Sequence, residues 1–348
     1  MHFLRLLTGS ALLLQGFHAG AQGCCSGGSG SPIAGGVSQG VLQNNQMEFA
    51  LSHQYFGTDR FLAGDKDSSS PAVNRLETNY LYLRMAYGVT AKLTMSVEAG
   101  YFLNKTEYGN NETAVDYKKN SSGIADLILF PRYDVYDHSS EKYHTEVTLG
   151  LGLKIPLGSC NDSTFAGSVL IPGQPPLQIY YTSPPTIQTT TGSNDLILYG
   201  FMAHEFKKAK FRVFLNTLYM HKGYNKLGQK FGDYMGAGFF VSKTFRRKLN
   251  TTLQLRYEWT DQMQSAKNVD QLTLYNVDLA STGSRKWSLL PQLGYTYKGI
   301  NLFGMYEIPL YQYMQGFQIG TKTLITVGIS YRFAVRKTIW KATPNTEE

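Results

Sequence analysis

The chain has 348 residues and a formal net charge of +8, with 17% charged residues, 35 glycines, 24 tyrosines and 19 phenylalanines. Helix-forming runs are scarce, so the composition indicates an all-β protein rather than a helical one. Three cysteines are too few to form a disulfide framework for a chain of this length. The basic residues stand in short groups, such as 207–210 and 246–248, without an aromatic platform. We therefore predict no nucleic-acid binding.

The first 21 residues have the layout of a secretory signal peptide. Arg5 gives a basic start, residues 6–14 form an apolar run, and the sequence Ala19-Gly20-Ala21 precedes the expected cleavage point. No later window of about 20 residues is apolar enough for a transmembrane helix. The mature chain is therefore expected to be exported, as a soluble, lipid-anchored or β-barrel protein.

Residues 22–45 form a Gly/Ser-rich leader before the first predicted strand. Two interpretations stay open, a plug folded into a barrel mouth and a flexible periplasmic leader. Cys24 and Cys25 are candidate ligands for copper or zinc, because thiolates bind both metals. Adjacent cysteines are awkward as a chelating pair and have no histidines at a supporting spacing, so a thiol pair without a transport role is the alternative.

Twelve stretches alternate apolar and polar residues with the period of a β-strand. Each has about 10 to 14 residues, which is long for a soluble sheet and suits a tilted transmembrane strand. The stretches are 46–56, 76–87, 92–103, 123–136, 143–156, 194–206, 210–221, 232–245, 249–260, 285–297, 300–311 and 317–333.

The connections between these stretches sort by parity. Long polar segments, among them 157–193 and 261–284, follow odd-numbered strands, and tight turns follow even-numbered ones. Short turns at one rim and long loops at the other are typical of an outer-membrane barrel, whereas a soluble β-sandwich gives no reason for this sorting. Aromatic residues near the strand ends predict two interfacial girdles: Tyr55, Tyr87, Tyr101, Trp259, Trp287, Tyr297, Tyr331 and Phe333.

We predict an all-β fold, a transmembrane up-and-down antiparallel β-barrel of about 12 strands over residues 46–333. A polar periplasmic tail, residues 334–348, would follow it. The stretches 46–65, "QMEFALSHQYFGTDRFLAGD", and 79–102, "NYLYLRMAYGVTAKLTMSVEAGYF", resemble the start of transporter-like outer-membrane barrels of the phenol-degradation (meta-pathway) type. They resemble the fatty-acid-transporter superfamily more remotely. This resemblance implies passage of small solutes, including hydrophobic ones.

The run ending in "GISYRF", residues 328–333, resembles the terminal-strand signal of bacterial outer-membrane proteins, in which alternating hydrophobic residues end in an aromatic one. It departs from that pattern because the chain continues to Glu348.

Charged residues of both signs are predicted to face the lumen. Mixed signs favour ion pairs that stiffen the wall over a ring that selects ions. The predicted set is Glu48, Arg84, Glu98, Asp126, Arg132, Asp134, Glu146, Lys154, Arg256, Glu258, Glu307, Lys322 and Arg332.

Catalysis has little support in the sequence. Ser52 stands beside His53, and alternation predicts that His204 faces inward, but no nucleophile motif or positioned acid accompanies them. We predict no enzyme activity and no cofactor.

The predicted function is an outer-membrane channel for small, including hydrophobic or aromatic, solutes, by passive or plug-gated passage through a polar lumen. A structural or adhesive barrel without transport, and copper or zinc handling through the cysteine pair, are the alternatives. The expected partners are outer-membrane lipid, the barrel-assembly machinery and the solute, and the expected state is a monomer.

Overall fold

The computed structural model describes residues 40–69, 73–110, 116–170, 172–246 and 248–335. The predicted signal peptide, the leader up to residue 39 with Cys24 and Cys25, and residues 336–348 of the tail lie outside these ranges. Within the described ranges, no helix is long and apolar enough to cross a membrane.

Twelve long strands form the main sheet, each antiparallel to its neighbours. They are β1 (Gln46–Thr58), β2 (Val73–Gly88), β3 (Leu93–Asn110), β4 (Asp116–Ser139), β5 (Tyr143–Pro156), β6 (Asp195–Phe206), β7 (Phe211–Lys222), β8 (Tyr234–Phe245), β9 (Leu249–Thr260), β10 (Ser284–Tyr297), β11 (Ile300–Ile319) and β12 (Thr323–Ala334).

The sheet closes on itself between the first and last strands. Strands β1 and β12 pair from Gln46↔Ala334 to Gly57↔Thr323, and every other strand pairs with the strands before and after it in the chain. Closure satisfies the edge hydrogen bonds that an open sheet would expose. The predicted all-β, up-and-down barrel of twelve strands is confirmed.

Alternation along each strand separates an outer face from an inner one. In β12, Ile325, Val327 and Ile329 are exposed, whereas Leu324 and Thr326 are buried. Exposed leucines, valines and tyrosines recur around the ring, a surface that suits lipid and not water.

Four strands, β3, β4, β11 and β12, differ from their predicted extents by several residues. Strands β3 and β4 continue as a long hairpin through much of 104–122, which the sequence predicts to be a polar loop. Polar cross-strand contacts hold this extension: Thr106 donates to Asn120 at 2.7 Å, and Lys119 pairs with Glu107 at 3.2 Å. Residues 317–319 belong to β11 rather than to the last strand, because they pair with a hairpin of the first loop.

The long connections contain their own short elements. The first carries the hairpin of Phe61–Gly64 and Lys66–Ser68, and the third carries the hairpin of Ser163–Val169 and Leu177–Thr182. A helix, α1 (Gln271–Tyr275), lies in the connection after β9. At the other rim, the described connections between strands are tight turns, so the two ends of the barrel differ in structure.

Candidate functional site

Most inward-facing side chains of the barrel are buried. Glu98 and Glu258 are 1% and 2% exposed, and Ile197 is fully buried. The interior is therefore not a wide, water-filled bore in this conformation, and its character depends on which groups contact one another.

The first charged cluster lies toward the short-turn rim. Glu48 on β1 accepts hydrogen bonds from Arg84 on β2 and from Arg332 on β12, the latter at 2.6 Å. Glu98 on β3 stands opposite Arg84 in the strand register and accepts a hydrogen bond from Tyr82. Two carboxylates and two guanidinium groups thus alternate across the seam where the barrel closes.

A second charged cluster lies nearer the long-loop rim, on strands β9 to β11. Arg256 pairs with Glu307 and approaches Glu258 at 3.4 Å, and Lys286 approaches Glu258 at 3.6 Å. The Tyr234 hydroxyl donates to Glu258 at 2.8 Å. This cluster balances two negative charges with two positive ones.

Smaller ion pairs join the remaining strands. Lys154 on β5 lies 2.7 Å from Asp195 on β6 and 3.4 Å from Asp126 on β4. Arg212 on β7 pairs with Glu146 on β5. Each ion pair connects different strands, so the pairs cross-link the wall as the mixed signs predict.

Part of the inner wall is apolar and aromatic, contrary to the prediction of a polar lumen. The Phe214 and Phe240 rings stack with centroids 4.2 Å apart, and Phe130 meets Tyr199 edge-on at 5.5 Å. The aromatic wall consists of Ile128, Phe130, Ile197, Tyr199, Phe201, Ala203, Phe214, Leu218, Met220, Tyr234 and Phe240, from β4, β6, β7 and β8.

Glycines on β5 make room for this aromatic wall. A Cβ atom added at Gly152 would lie 2.8 Å from the Phe130 ring, and one added at Gly150 would lie 3.1 Å from it. The Phe130 ring therefore occupies the space above these two glycines and contacts Tyr199 on β6, and a side chain at Gly152 would collide with the ring.

Residues 40–45 lie inside the short-turn mouth. The Leu42 side chain is buried, and its amide donates to Thr94 Oγ1 on β3 at 2.7 Å. A Cβ added at Gly40 would lie 3.0 Å from the Glu146 carboxylate on β5. The chain before β1 therefore runs along the inner wall from β1 toward β5.

The third long connection, residues 157–194, enters from the opposite end. Lys105 Nζ donates to the Gln188 carbonyl at 2.7 Å, and Thr186 donates to Glu107 at 3.3 Å. Lys154 Nζ also donates to Thr191 Oγ1 at 2.7 Å. Residues 183–193, here called the inner loop segment, are thereby held against β3, β4 and β5.

Cys160 lies at the base of this connection. The thiol is buried and has no disulfide partner among the described residues. Gly192, with φ of +76°, packs directly against the sulfur, where a side chain would clash. Burial raises the pKa of the Cys160 thiol.

The other predicted lumen residues lie on inward faces, but Lys322 does not. Its side chain is 57% exposed in the turn between β11 and β12, where Nζ lies 2.8 Å from Asp59. The prediction that His204 faces inward is also wrong. It shares the outer face of β6 with Leu198 and stacks on Tyr143 at 5.4 Å.

The Ser52–His53 neighbours do not form a catalytic pair. Ser52 is buried on the inner face of β1, and His53 lies on the outer face, where it contacts Asn79 at 3.0 Å. Adjacent strand residues point to opposite faces. The two side chains are therefore separated by the wall.

Several inward charges were not predicted, among them Asp195, Arg212 and Lys286. Lys286 follows the same alternation as Ser288 on β10, so strand parity could have found it. Asp195 and Arg212 stand at the starts of their strands, where alternation has barely begun and carries little signal.

The predicted metal site lies outside the described residues, since it rests on Cys24 and Cys25. Among the residues that the structure describes, no three His, Cys, Asp or Glu side chains are grouped as metal ligands would be.

No family model matches the sequence, and no curated protein matches it. Among solved structures, the chain is similar to an outer membrane channel from Pseudomonas putida F1, with a TM-score of 0.64 and 13% identity over 86% of this chain and 99% of that one. The KdgM porin (TM-score 0.39, 9% identity, 82% and 99% covered) and the NanC porin (0.40, 9%, 81% and 98%) match too loosely to add an argument. The chain therefore has the fold of an outer-membrane β-barrel.

Proposed function

We propose that the protein is an outer-membrane channel for small solutes, including those with a hydrophobic or aromatic body. Passage through the barrel interior would be gated by the chain segment before β1. The observation that carries this proposal is the division of the inner wall into an ionised part and an aromatic part.

A barrel that only keeps its shape has little need of buried charges. Burying an ion pair costs desolvation, and apolar packing of the same volume is often equally stabilising or more so. Paired charges can take up water when the interior opens, and aromatic rings can hold an apolar solute. The two surfaces together suit a solute that is apolar in part and arrives from water.

Two segments lie against the inner wall and are the candidates for movement. Residues 40–45 contact Thr94 from the short-turn end, and the inner loop segment contacts Glu107 and Lys105 from the other. Both are connections rather than wall strands, so either can shift without breaking the barrel ladder. This arrangement favours gated over permanently open passage.

An adhesive barrel without transport is the second candidate. The hairpin of Ser163–Val169 and Leu177–Thr182 exposes Phe165, Leu177 and Tyr180, and Leu170 beside it is 78% exposed. Residues 163–194 contain no charged side chain. An uncharged apolar projection of this kind is typical of a contact surface. Metal handling by Cys24 and Cys25 stays a prediction.

Reconstitution of the mature chain tests the channel proposal. We expect small, fluctuating conductance in planar bilayers and flux of aromatic solutes into proteoliposomes. Removal of residues 22–45 should increase both. A variant lacking residues 336–348 is the matched control, and should behave as the full chain does. A flux panel of aromatics, fatty acids and metal complexes identifies the solute class.

Absence of conductance and of flux, with and without residues 22–45, would contradict the channel proposal. The adhesive barrel would then be favoured.

A further inference from the structure

Basic residues concentrate at the rim with the short turns. All five tight turns carry at least one, and all of those described are exposed. They are Lys92, Lys142, Lys207, Lys208, Lys210, Arg246, Lys248 and Lys298, and with the exposed Lys243 near the end of β8 they are together called the basic collar. Acidic neighbours at this rim are Glu141, Asp137 and Glu205.

The opposite rim has a different balance. The described parts of the long loops, with the turn 320–322, contain eight acidic and six basic residues. Among the described residues, the excess of positive charge therefore lies mainly at the short-turn rim.

Three collar residues hold an unfavourable backbone conformation. Lys210, Arg246 and Lys298 have φ values of 49°, 47° and 48°. The other described non-glycine residues with positive φ are all asparagines, which tolerate the left-handed region better. Folding alone would favour glycine or asparagine at these positions, so the turns retain the positive charge against the local preference.

Aromatic rings indicate where the basic collar lies relative to the membrane interface. Lys243 Nζ lies 5.7 Å from the centroid of the Phe245 ring, and Lys248 and Lys298 lie 5.0 and 5.4 Å from the centroid of Tyr297. Both rings are exposed at the ends of outer faces, where barrel aromatics meet the membrane interface. The ammonium groups are thus at the level of lipid headgroups.

We propose that the basic collar binds the phosphate groups of anionic phospholipids in the leaflet around the short-turn rim. Lysine and arginine donate charge-assisted hydrogen bonds to phosphate oxygens. The five turns are spread around the ring between successive strand pairs. A lipid leaflet surrounds the barrel on all sides and matches that distribution, whereas one protein partner would contact a single side.

The test uses the mature chain in mixed phosphatidylethanolamine and phosphatidylglycerol, with the retained lipids counted by native mass spectrometry. The collar variant is Lys210→Asn/Arg246→Asn/Lys298→Asn, because asparagine keeps the left-handed turns. The control variant, Lys226→Asn/Lys267→Asn/Lys322→Asn, makes the same charge change at the other rim. We expect the collar variant to bind phosphatidylglycerol at least about tenfold more weakly than the unmodified protein does. The control variant should stay within about twofold of the unmodified protein.

Equal losses in both variants would overturn the proposal, and so would an unmodified protein with no preference for phosphatidylglycerol. The latter result would instead favour an acidic periplasmic partner. Folding is checked by the heat-dependent shift in gel mobility. Should the triple variant fail to fold, Lys298→Asn and the salt dependence of lipid retention replace it. Salt screens contacts between exposed charges, so lipid retention should fall as the salt concentration rises. Lipid retention that stays unchanged between about 0.05 and 0.5 M salt, roughly a tenfold range of ionic strength, would equally overturn the proposal.

Discussion

Arg84 is 5% exposed and lies between the carboxylates of Glu48 and Glu98. A neutral side chain at this position leaves Glu98 with the hydroxyl donors of Tyr82 and Ser96 and the nearby charge of Arg132, and leaves Glu48 with Arg332. Removing one partner of a buried ion pair is costly, because the remaining charge keeps its desolvation penalty.

We predict that Arg84→Met lowers the free energy of unfolding by about 3–5 kcal/mol, measured by urea unfolding of the protein in lipid vesicles. Lys322→Met is the control, because its pair with Asp59 is exposed and such pairs contribute about 0–1 kcal/mol. Similar losses for the two variants would mean that the interior pairs are as hydrated as the surface ones.

Cys160 offers a chemical probe of the inner loop segment. Because burial raises the pKa of its thiol, less of the reactive thiolate is present near neutral pH. In a Cys24→Ser/Cys25→Ser background, we expect iodoacetamide to modify the folded protein at least about tenfold more slowly at pH 8 than the urea-unfolded chain. The rate should keep rising with pH above the ordinary thiol pKa. Equal rates for folded and unfolded protein would contradict the packing of Gly192 on the sulfur.

Individual side-chain directions were predictable where the two faces differ in polarity. Strand β9 alternates Thr252 and Gln254 with Leu253 and Leu255, and its inward charges follow directly. Strand β6 has apolar residues on both faces, since its inner face belongs to the aromatic wall. Alternation of polarity is lost there, which is why His204 was predicted on the wrong face.

At the scale of the strand, membrane-spanning parts were easier to predict than their extensions. Lipid on one side requires apolar residues at every second position, and this gives the period-2 signal. The upper part of the β3–β4 hairpin meets no such requirement and pairs through polar side chains such as Thr106 and Asn120. Its sequence therefore looks like a loop although its backbone is a strand.

Residues 40–45 pass close to the backbone of Gly88. A Cβ there would overlap the carbonyl oxygen of Gln43, which is backbone and cannot move aside as a flexible side chain can. We predict that Gly88→Ala displaces residues 40–45 from the mouth and raises the single-channel conductance or open time. The barrel should keep its heat-dependent gel shift, because the wall ladder does not depend on those residues.

Gly294→Ala is the matched control for this variant. Gly294 is also inward-facing and near the short-turn rim, but an added Cβ has its nearest neighbours at 3.5 and 3.6 Å, in Asn301 and Asn250. Its conductance should equal that of the unmodified protein. Unchanged conductance in Gly88→Ala would show that residues 40–45 do not limit passage.

For the molecule as a whole, strand number and closure followed from the sequence, because strand length, loop parity and face alternation are each imposed by the bilayer. The kind of side chains that fill the barrel interior could not be predicted from the sequence. An inner wall can be polar, ionic or aromatic and still close the same ring, and its choice depends on contacts between residues far apart in the chain. Phe130, Gly152 and Tyr199 together illustrate such a contact.

The unequal strand lengths make the long-loop rim slanted. The last β4–β5 pair is Asp126↔Pro156, and the preceding residues of β4, from Asp116 onward, pair with β3 alone. Ten strand residues rise about 33 Å along the chain, or roughly 25 Å along the axis of a tilted barrel. Molecules that approach from the β3–β4 side meet this raised hairpin, whereas those that approach over β7 to β9 meet the connections 223–233 and 261–283. For the channel proposed above, we therefore expect solutes to reach the mouth more readily over β7 to β9 than over the β3–β4 hairpin.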